Sequence, residues 1–164
     1  MSPTVRRVVT GHDDQGNSVV LSDAPAPRIH EAPGARFWEV WSTDRAPVLI
    51  QSKELKEPTD RPLTLGSPGG SVIRVVDFAE GGPPSPMHRT STIDYGIVLE
   101  GEVILLLPGG REVQLKPGDI VVQRGTHHAW QNKSGRPARM VFVLLDGKFS
   151  EELRAKLSDM KLTP

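Results

Sequence analysis

The apolar and polar positions of this chain alternate in short runs, and the runs are cut by turn residues at regular intervals. From Ser71 onward the pattern is continuous. Val72-Ile73-Arg74-Val75-Val76-Asp77-Phe78 reads as a strand, followed by runs at 95–100, 103–107, 112–115, 120–123, 128–132 and 139–145. Glu100-Gly101, Pro108-Gly109-Gly110, Pro117-Gly118-Asp119 and Ser134-Gly135 punctuate them. Short strands with turns this frequent predict an antiparallel sandwich or barrel, with no room for crossover helices.

Before Ser71 the pattern is more broken. Residues 5–10 and 18–21 are rich in β-branched side chains and predict an N-terminal hairpin across a turn-rich Gly11–Asn17. Ser22 to Gly34 is dense in proline and predicts an irregular connector. Arg36 to Thr43 predicts a strand with Trp38 and Val40 on one face and Phe37, Glu39 and Trp41 on the other. Residues 44–70 read as loop. After the barrel pattern ends, Ser150 suits a helix N-cap, Glu151 and Glu152 suit the positive end of its dipole, and Leu153, Leu157 and Met160 share a face. The expected division is therefore 1–69 as an N-terminal extension packed on the barrel, 70–146 as the barrel, and 147–164 as a helical tail.

Composition narrows the function classes. The 164 residues suit one domain with its own core. Twenty basic and twenty acidic side chains give no net charge, so nucleic acid is not an expected partner. Cysteine is absent, which excludes disulfides and thiolate chemistry. No run approaches the roughly 20 apolar residues of a spanning helix, and the N-terminus has no apolar signal segment. No membrane association and a cytoplasmic location are the expectations. A homodimer is expected too, with the tryptophan-bearing strand at 36–43 supplying apolar surface.

The chemistry concentrates between Pro86 and Asn132. Residues two apart on a strand face the same way, so His88 shares a face with Thr90, and His128 shares one with Trp130 and Asn132 while His127 turns away. Two imidazoles and the carboxylate of Asp94 from separate strand positions suit a divalent first-row metal ion: Fe, Mn, Ni or Zn. Asp94 also suits a cap for the turn before Tyr95-Gly96. Trp130 suits core packing as well as a substrate wall. Arg74 and Tyr95 are candidates for binding a carboxylate, or for ordinary strand positions. Gly109-Gly110 has hairpin spacing, not that of a phosphate loop, and no G-x-S-x-G is present.

Two segments resemble the paired motifs of the cupin superfamily. Gly82, five residues, His88-Arg89-Thr90, three residues, Asp94, six residues and Gly101 follow the spacing of the first motif. Gln123-Arg124-Gly125, two residues, His128, three residues and Asn132 follow the second, with Gly118-Asp119 ahead. The resemblance covers about residues 70–146 by this spacing. It implies an all-β, antiparallel jelly-roll-like barrel of six to eight strands, with a metal at its centre and His88, Asp94 and His128 as ligands. Thr90 stands where the motif has a second histidine, Asp94 replaces glutamate, and Gln123 replaces proline. Thr90, Tyr95, Gln123, Trp130 and Arg74 are the further pocket candidates. The expected function is that of an enzyme acting on a small organic acid or oxidised aromatic metabolite, by decarboxylation, isomerisation, dehydration or dioxygenation. The alternative is a module that binds a small molecule or metal without turnover.

Overall fold

The computed structural model describes residues 4–53, 57–157 and 162–163. In chain order the strands are β1 (Arg6–His12), β2 (Ser18–Pro25), β3 (Arg28–Ala32), β4 (Ala35–Thr43), β5 (Ser71–Phe78), β6 (Thr92–Glu100), β7 (Val103–Leu107), β8 (Arg111–Leu115), β9 (Ile120–Arg124), β10 (Ala129–Gln131) and β11 (Ala138–Asp146). One turn of 3-10 helix spans Pro58–Asp60, and α1 spans Glu151–Lys156.

Six strands form the main antiparallel sheet in the order β3-β4-β5-β11-β6-β9; β10-β7-β8 form the facing sheet. Apolar residues alternate inward from both and meet in one core that includes Val72, Val76, Phe78, Val98, Val103, Leu105, Met140 and Leu144. The all-β jelly-roll reading therefore holds. Gly101, expected at a turn, shows why only glycine fits there. Its φ is 71°, and a Cβ would lie 2.5 Å from the Pro137 carbonyl oxygen and 2.7 Å from Ala138 Cα.

The N-terminal region departs from expectation in three places. Ser22–Gly34 is not an irregular connector: β2 runs on to Pro25, and β3 occupies Arg28–Ala32. Its prolines sit where no ladder donor is needed. Pro25 ends β2, Pro27 lies between the strands, and Pro33 shares a tight turn with Gly34. Second, Trp41 does not share a face with Glu39. The β4–β5 register runs Glu39 opposite Arg74 and then Trp41 opposite Ile73, which leaves Val40 as an extra residue in a bulge. Beyond that bulge every side chain is reversed, so Trp41 faces outward with Trp38.

Third, this tryptophan face is covered. Trp38 is 4% exposed and packs with Ala26 and Val75, backed by Val5. The β1–β2 hairpin lies across it. Arg7, buried on that hairpin, makes two parallel hydrogen bonds to Glu57 (2.7 and 2.8 Å), donates to the Val40 carbonyl at 3.3 Å, and stacks over Trp41. The tryptophan face is thus covered by the chain's own hairpin.

Helix α1 has the expected cap, with Ser150 Oγ accepting from the Leu153 N–H at 3.2 Å. It buries none of its own residues, and Leu153 is exposed, so it does not lie on the barrel through that face. Met160, assigned to the same face, is outside the described residues. No helix among the described residues is long and apolar enough to cross a membrane.

Candidate active site

The two motif histidines meet through the backbone. His88 and His128 form an isolated antiparallel bridge, each N–H donating to the other's carbonyl at 2.9 Å. Residues so paired project to the same side, and their ring centroids stand 4.3 Å apart. Nearby, Ser85 N–H donates to the Trp130 carbonyl at 2.8 Å, and Trp130 N–H donates to Ser85 Oγ at 2.9 Å. These bonds pin the 85–88 segment along β10.

Both rings are oriented in the same way. His88 Nδ1 lies 2.9 Å from the Pro86 carbonyl oxygen, and His128 Nδ1 lies 2.9 Å from that of Thr126. A carbonyl can only accept, so each Nδ1 carries a proton, and in the neutral ring Nε2 is the nitrogen that holds the lone pair. Burial holds His128 down to about 4, its bond to Thr126 opposes this, and the neighbouring His88 and His127 add to the depression. The ring is neutral at pH 7. His127 is exposed, as the strand alternation requires.

Both rings line a cavity of about 270 Å³ between the sheets. Its walls are mostly apolar: Phe37, Leu65, Val76, Phe78, Phe142 and Leu144 with Trp130. The Trp130 ring meets His128 edge-on at 5.6 Å and Phe142 at 5.2 Å, so it is both core and wall. Arg74, Thr90 and Asp94 line the same space.

Asp94 projects inward from β6. Burial raises its carboxyl to about 6, while a hydrogen bond from Thr92 and the charge of Arg74 pull the other way. Thr92 in turn bonds Thr90, Oγ1 to Oγ1, at 2.6 Å. Asp94 Oδ1 is buried with no hydrogen-bond partner. It faces the cavity but does not join the rings: among the described residues no group of three or more His, Cys, Asp or Glu side chains converges closely enough to hold an ion. The triad drawn from the motif spacing is not drawn together in this structure, where the two rings meet and Asp94 lines the same cavity. An aspartate is one methylene shorter than glutamate, and this one is tethered to Thr92. Thr90, in the place of the third imidazole, spends its hydroxyl on the same tether. The donor chemistry fits a divalent first-row ion as a two-nitrogen set and does not fit a closed three-ligand cage.

Two further expectations change. Tyr95 follows Asp94 on β6 and so points outward; it is 40% exposed and does not line the cavity. Gln123 lies opposite Asp94 in the β6–β9 register and is buried, yet it is not part of the cavity wall. Asn132 of the second motif is structural: its Nδ2 donates to the Phe78 and Arg136 carbonyls (3.3 and 2.7 Å), and its Oδ1 accepts from Ser134. Sequence reasoning missed Phe37, Leu65, Phe78 and Phe142 as wall residues. For the strand residues the signal was present, because Phe78 and Phe142 fall in the inward phase of β5 and β11. Nothing local marks Leu65, which a loop brings in.

A family model described as a cupin domain matches residues 74–144. Phomopsin biosynthesis cluster protein C' of Diaporthe leptostromiformis is 41% identical over 152 residues, covering 88% of this chain and 80% of that one. The cupin-domain-containing oxidoreductase fogC of Aspergillus ruber is 40% identical over 151 residues, covering 87% and 72%. Among solved structures, the Schizosaccharomyces pombe Cnp3 cupin domain superposes over 95% of each chain with a TM-score of 0.51 at 12% identity, a likeness of fold alone.

Proposed function

This chain belongs to the cupin superfamily, and on that premise we propose that it is an enzyme transforming a small organic acid or oxidised aromatic metabolite in the cavity between its two sheets. One observation carries the reading: two imidazoles with free Nε2 atoms and a carboxyl with an unpartnered oxygen face a single apolar cavity. Relatives named as oxidoreductases and as biosynthesis cluster proteins favour turnover over passive binding.

His88 and His128 would hold a divalent ion (Fe, Mn, Ni or Zn) through Nε2. Such an ion supplies Lewis acidity at a substrate carbonyl or enolate oxygen. The protein's own part is proton handling and exclusion of water. Asp94, held near 6 by burial, exchanges a proton with a carbon or oxygen of the substrate near neutral pH. The Thr92–Thr90 hydroxyl pair fixes the carboxyl's orientation. Trp130, Phe78 and Phe142 present faces and edges to an aromatic body. Proton transfer next to a carbonyl is the step shared by isomerisation, dehydration and decarboxylation, and this arrangement supports that class.

The test is elemental analysis of protein purified without a histidine tag, joined to a turnover screen over aryl and alkyl carboxylic acids. Wild type and Asp94→Asn are expected to carry the metal; His88→Ala and His128→Ala are expected to lose it. Turnover is expected to vanish in both histidine variants and to slow by about 10²–10⁴ in Asp94→Asn. Unchanged metal content in both histidine variants, or full activity in Asp94→Asn, would sink the assignment.

A further inference from the structure

Beside the reaction cavity lies a second one of about 240 Å³, and the two share three wall residues: Phe37, Leu65 and Arg74. The second cavity has a different character. In the sheet register Arg28 on β3 stands opposite Glu39 on β4, and Glu39 stands opposite Arg74 on β5. All three face inward, so one transverse row reads Arg-Glu-Arg. Arg61 enters from the loop above and bonds Glu39. Three guanidinium groups thus surround one carboxylate.

Much of this donor capacity is spent on backbone. Arg28 Nη1 donates to the Pro58 and Arg61 carbonyls (3.0 and 2.8 Å), and Arg61 Nη1 bonds Thr64 Oγ1 at 2.8 Å. Carbonyl dipoles orient these groups but do not cancel their charge, so the row stays net cationic. Arg74 has the longest ion pair to Glu39, although Arg61 Nε and Glu39 Oε2 are likewise buried without a hydrogen-bond partner. The Arg74 side chain is 7% exposed, its Nη2 donates to the Thr64 and Leu65 carbonyls (2.8 and 3.0 Å), its nearest Glu39 oxygen is 3.9 Å away, and its Nε has no partner. Burial lowers it to about 10, with Glu39 opposing and Arg61 adding to the shift, so it is charged at neutral pH. A buried net charge of this kind is stabilised by an incoming anion. With few free N–H groups left in the row, a singly charged planar carboxylate fits better than a phosphate.

We propose that Arg74 is the substrate-positioning residue of this enzyme: it receives the carboxylate of a monocarboxylic acid whose apolar, ring-sized body lies in the cavity lined by Trp130, Phe78 and Phe142. An apolar cavity on the order of 150 Å³ admits benzene; the one here, at about 270 Å³, leaves space for a substituted ring. The acid group then sits at the cationic end, and the rest of the molecule faces the histidine pair and Asp94. This inference rests on the catalytic reading above, and it assigns the acid group to the arginine row instead of to an ion held by the histidines.

The experiment compares binding of benzoate and cinnamate with that of benzamide and cinnamamide, by calorimetry. It uses the protein as purified, the protein after chelator treatment, and the variants Arg74→Gln, Arg74→Lys and His88→Ala. Wild type is expected to prefer each acid over its amide by about tenfold or more. The preference should persist after chelation and in His88→Ala, shrink in Arg74→Lys, and disappear in Arg74→Gln. Equal binding of acid and amide in wild type overturns the proposal, as does an undiminished preference in either Arg74 variant. A preference lost on chelation or in His88→Ala also overturns it, because the acid would then sit on the histidine-held ion. Failure of the catalytic reading looks different: acid preference intact, with no turnover and no histidine-dependent metal.

Discussion

On one side of Arg74, charged side chains are paired with one another; on the other, polar groups are anchored singly and face a mostly apolar cavity. Arg61, Glu39 and Arg28 are bonded to each other, to loop carbonyls or to both. They fasten the 61–66 loop over β3 and β4. In the reaction cavity, by contrast, His88 and His128 use Nδ1 for anchoring and keep Nε2 free, and Asp94 keeps Oδ1 free. The difference separates groups that hold a structure from groups positioned to act. Glu39 Oε2 and Arg61 Nε are also buried without a hydrogen-bond partner, but their charges already face each other. A group rigidly held but incompletely satisfied, and facing a cavity, gains from a ligand.

Three changes would break or sharpen that contrast. The largest effect is expected at Glu39. Its side chain is 3% exposed, and its removal takes the ion-pair partner from Arg61 and from the buried Arg74. Glu39→Gln should lower the unfolding free energy by about 3–5 kcal/mol, measured by urea denaturation. A loss under about 1 kcal/mol would mean that the arginine row is wet and weakly coupled, like an exposed ion pair.

The next concerns pH, in chelator-treated protein. Burial raises Asp94 to about 6, so the folded chain binds that proton more tightly than the unfolded chain, and its ionisation weakens the fold as pH rises from about 4 to 6. Burial lowers His128 to about 4, so the stability tied to its neutral ring is lost as pH falls from about 6.5 toward 4. Each shift corresponds to about 3 kcal/mol, with opposite sign. Across that window the two contributions oppose each other. Asp94→Asn should expose a fall in stability on acidification, and His128→Gln should expose a rise. If either variant's profile parallels that of wild type, the corresponding group is not dry.

The smallest effect is expected at Tyr95, whose chain neighbour Asp94 faces the cavity while its own ring faces out. Tyr95→Ala should leave acid and amide affinities within about twofold and cost under about 1 kcal/mol. A tenfold loss of binding would place the ring at the site after all.

The sequence determined most of the barrel and the central pair of its site. Two-residue alternation names strands wherever one face is buried, and glycines such as Gly101 mark positions that a side chain cannot occupy. The spacing to His88 and His128 sufficed to bring those rings together, because the motif encodes their strand pairing. It put Asp94 on the same cavity, where burial and the Thr92–Thr90 hydroxyl pair, not spacing, set the carboxyl's surroundings. The bulge at Val40 was hidden: Trp38-Glu39-Val40-Trp41 alternates plausibly in either phase, and only pairing with Arg74 and Ile73 selects one. Least visible was the Arg28–Glu39–Arg74 row. Each member reads alone as an ordinary charged strand residue, and the loop that supplies Arg61 has no periodicity. Their charges combine only because the β3–β4 hairpin hydrogen-bonds in register to β5, much further along the chain, and sheet register is a property of the assembled core.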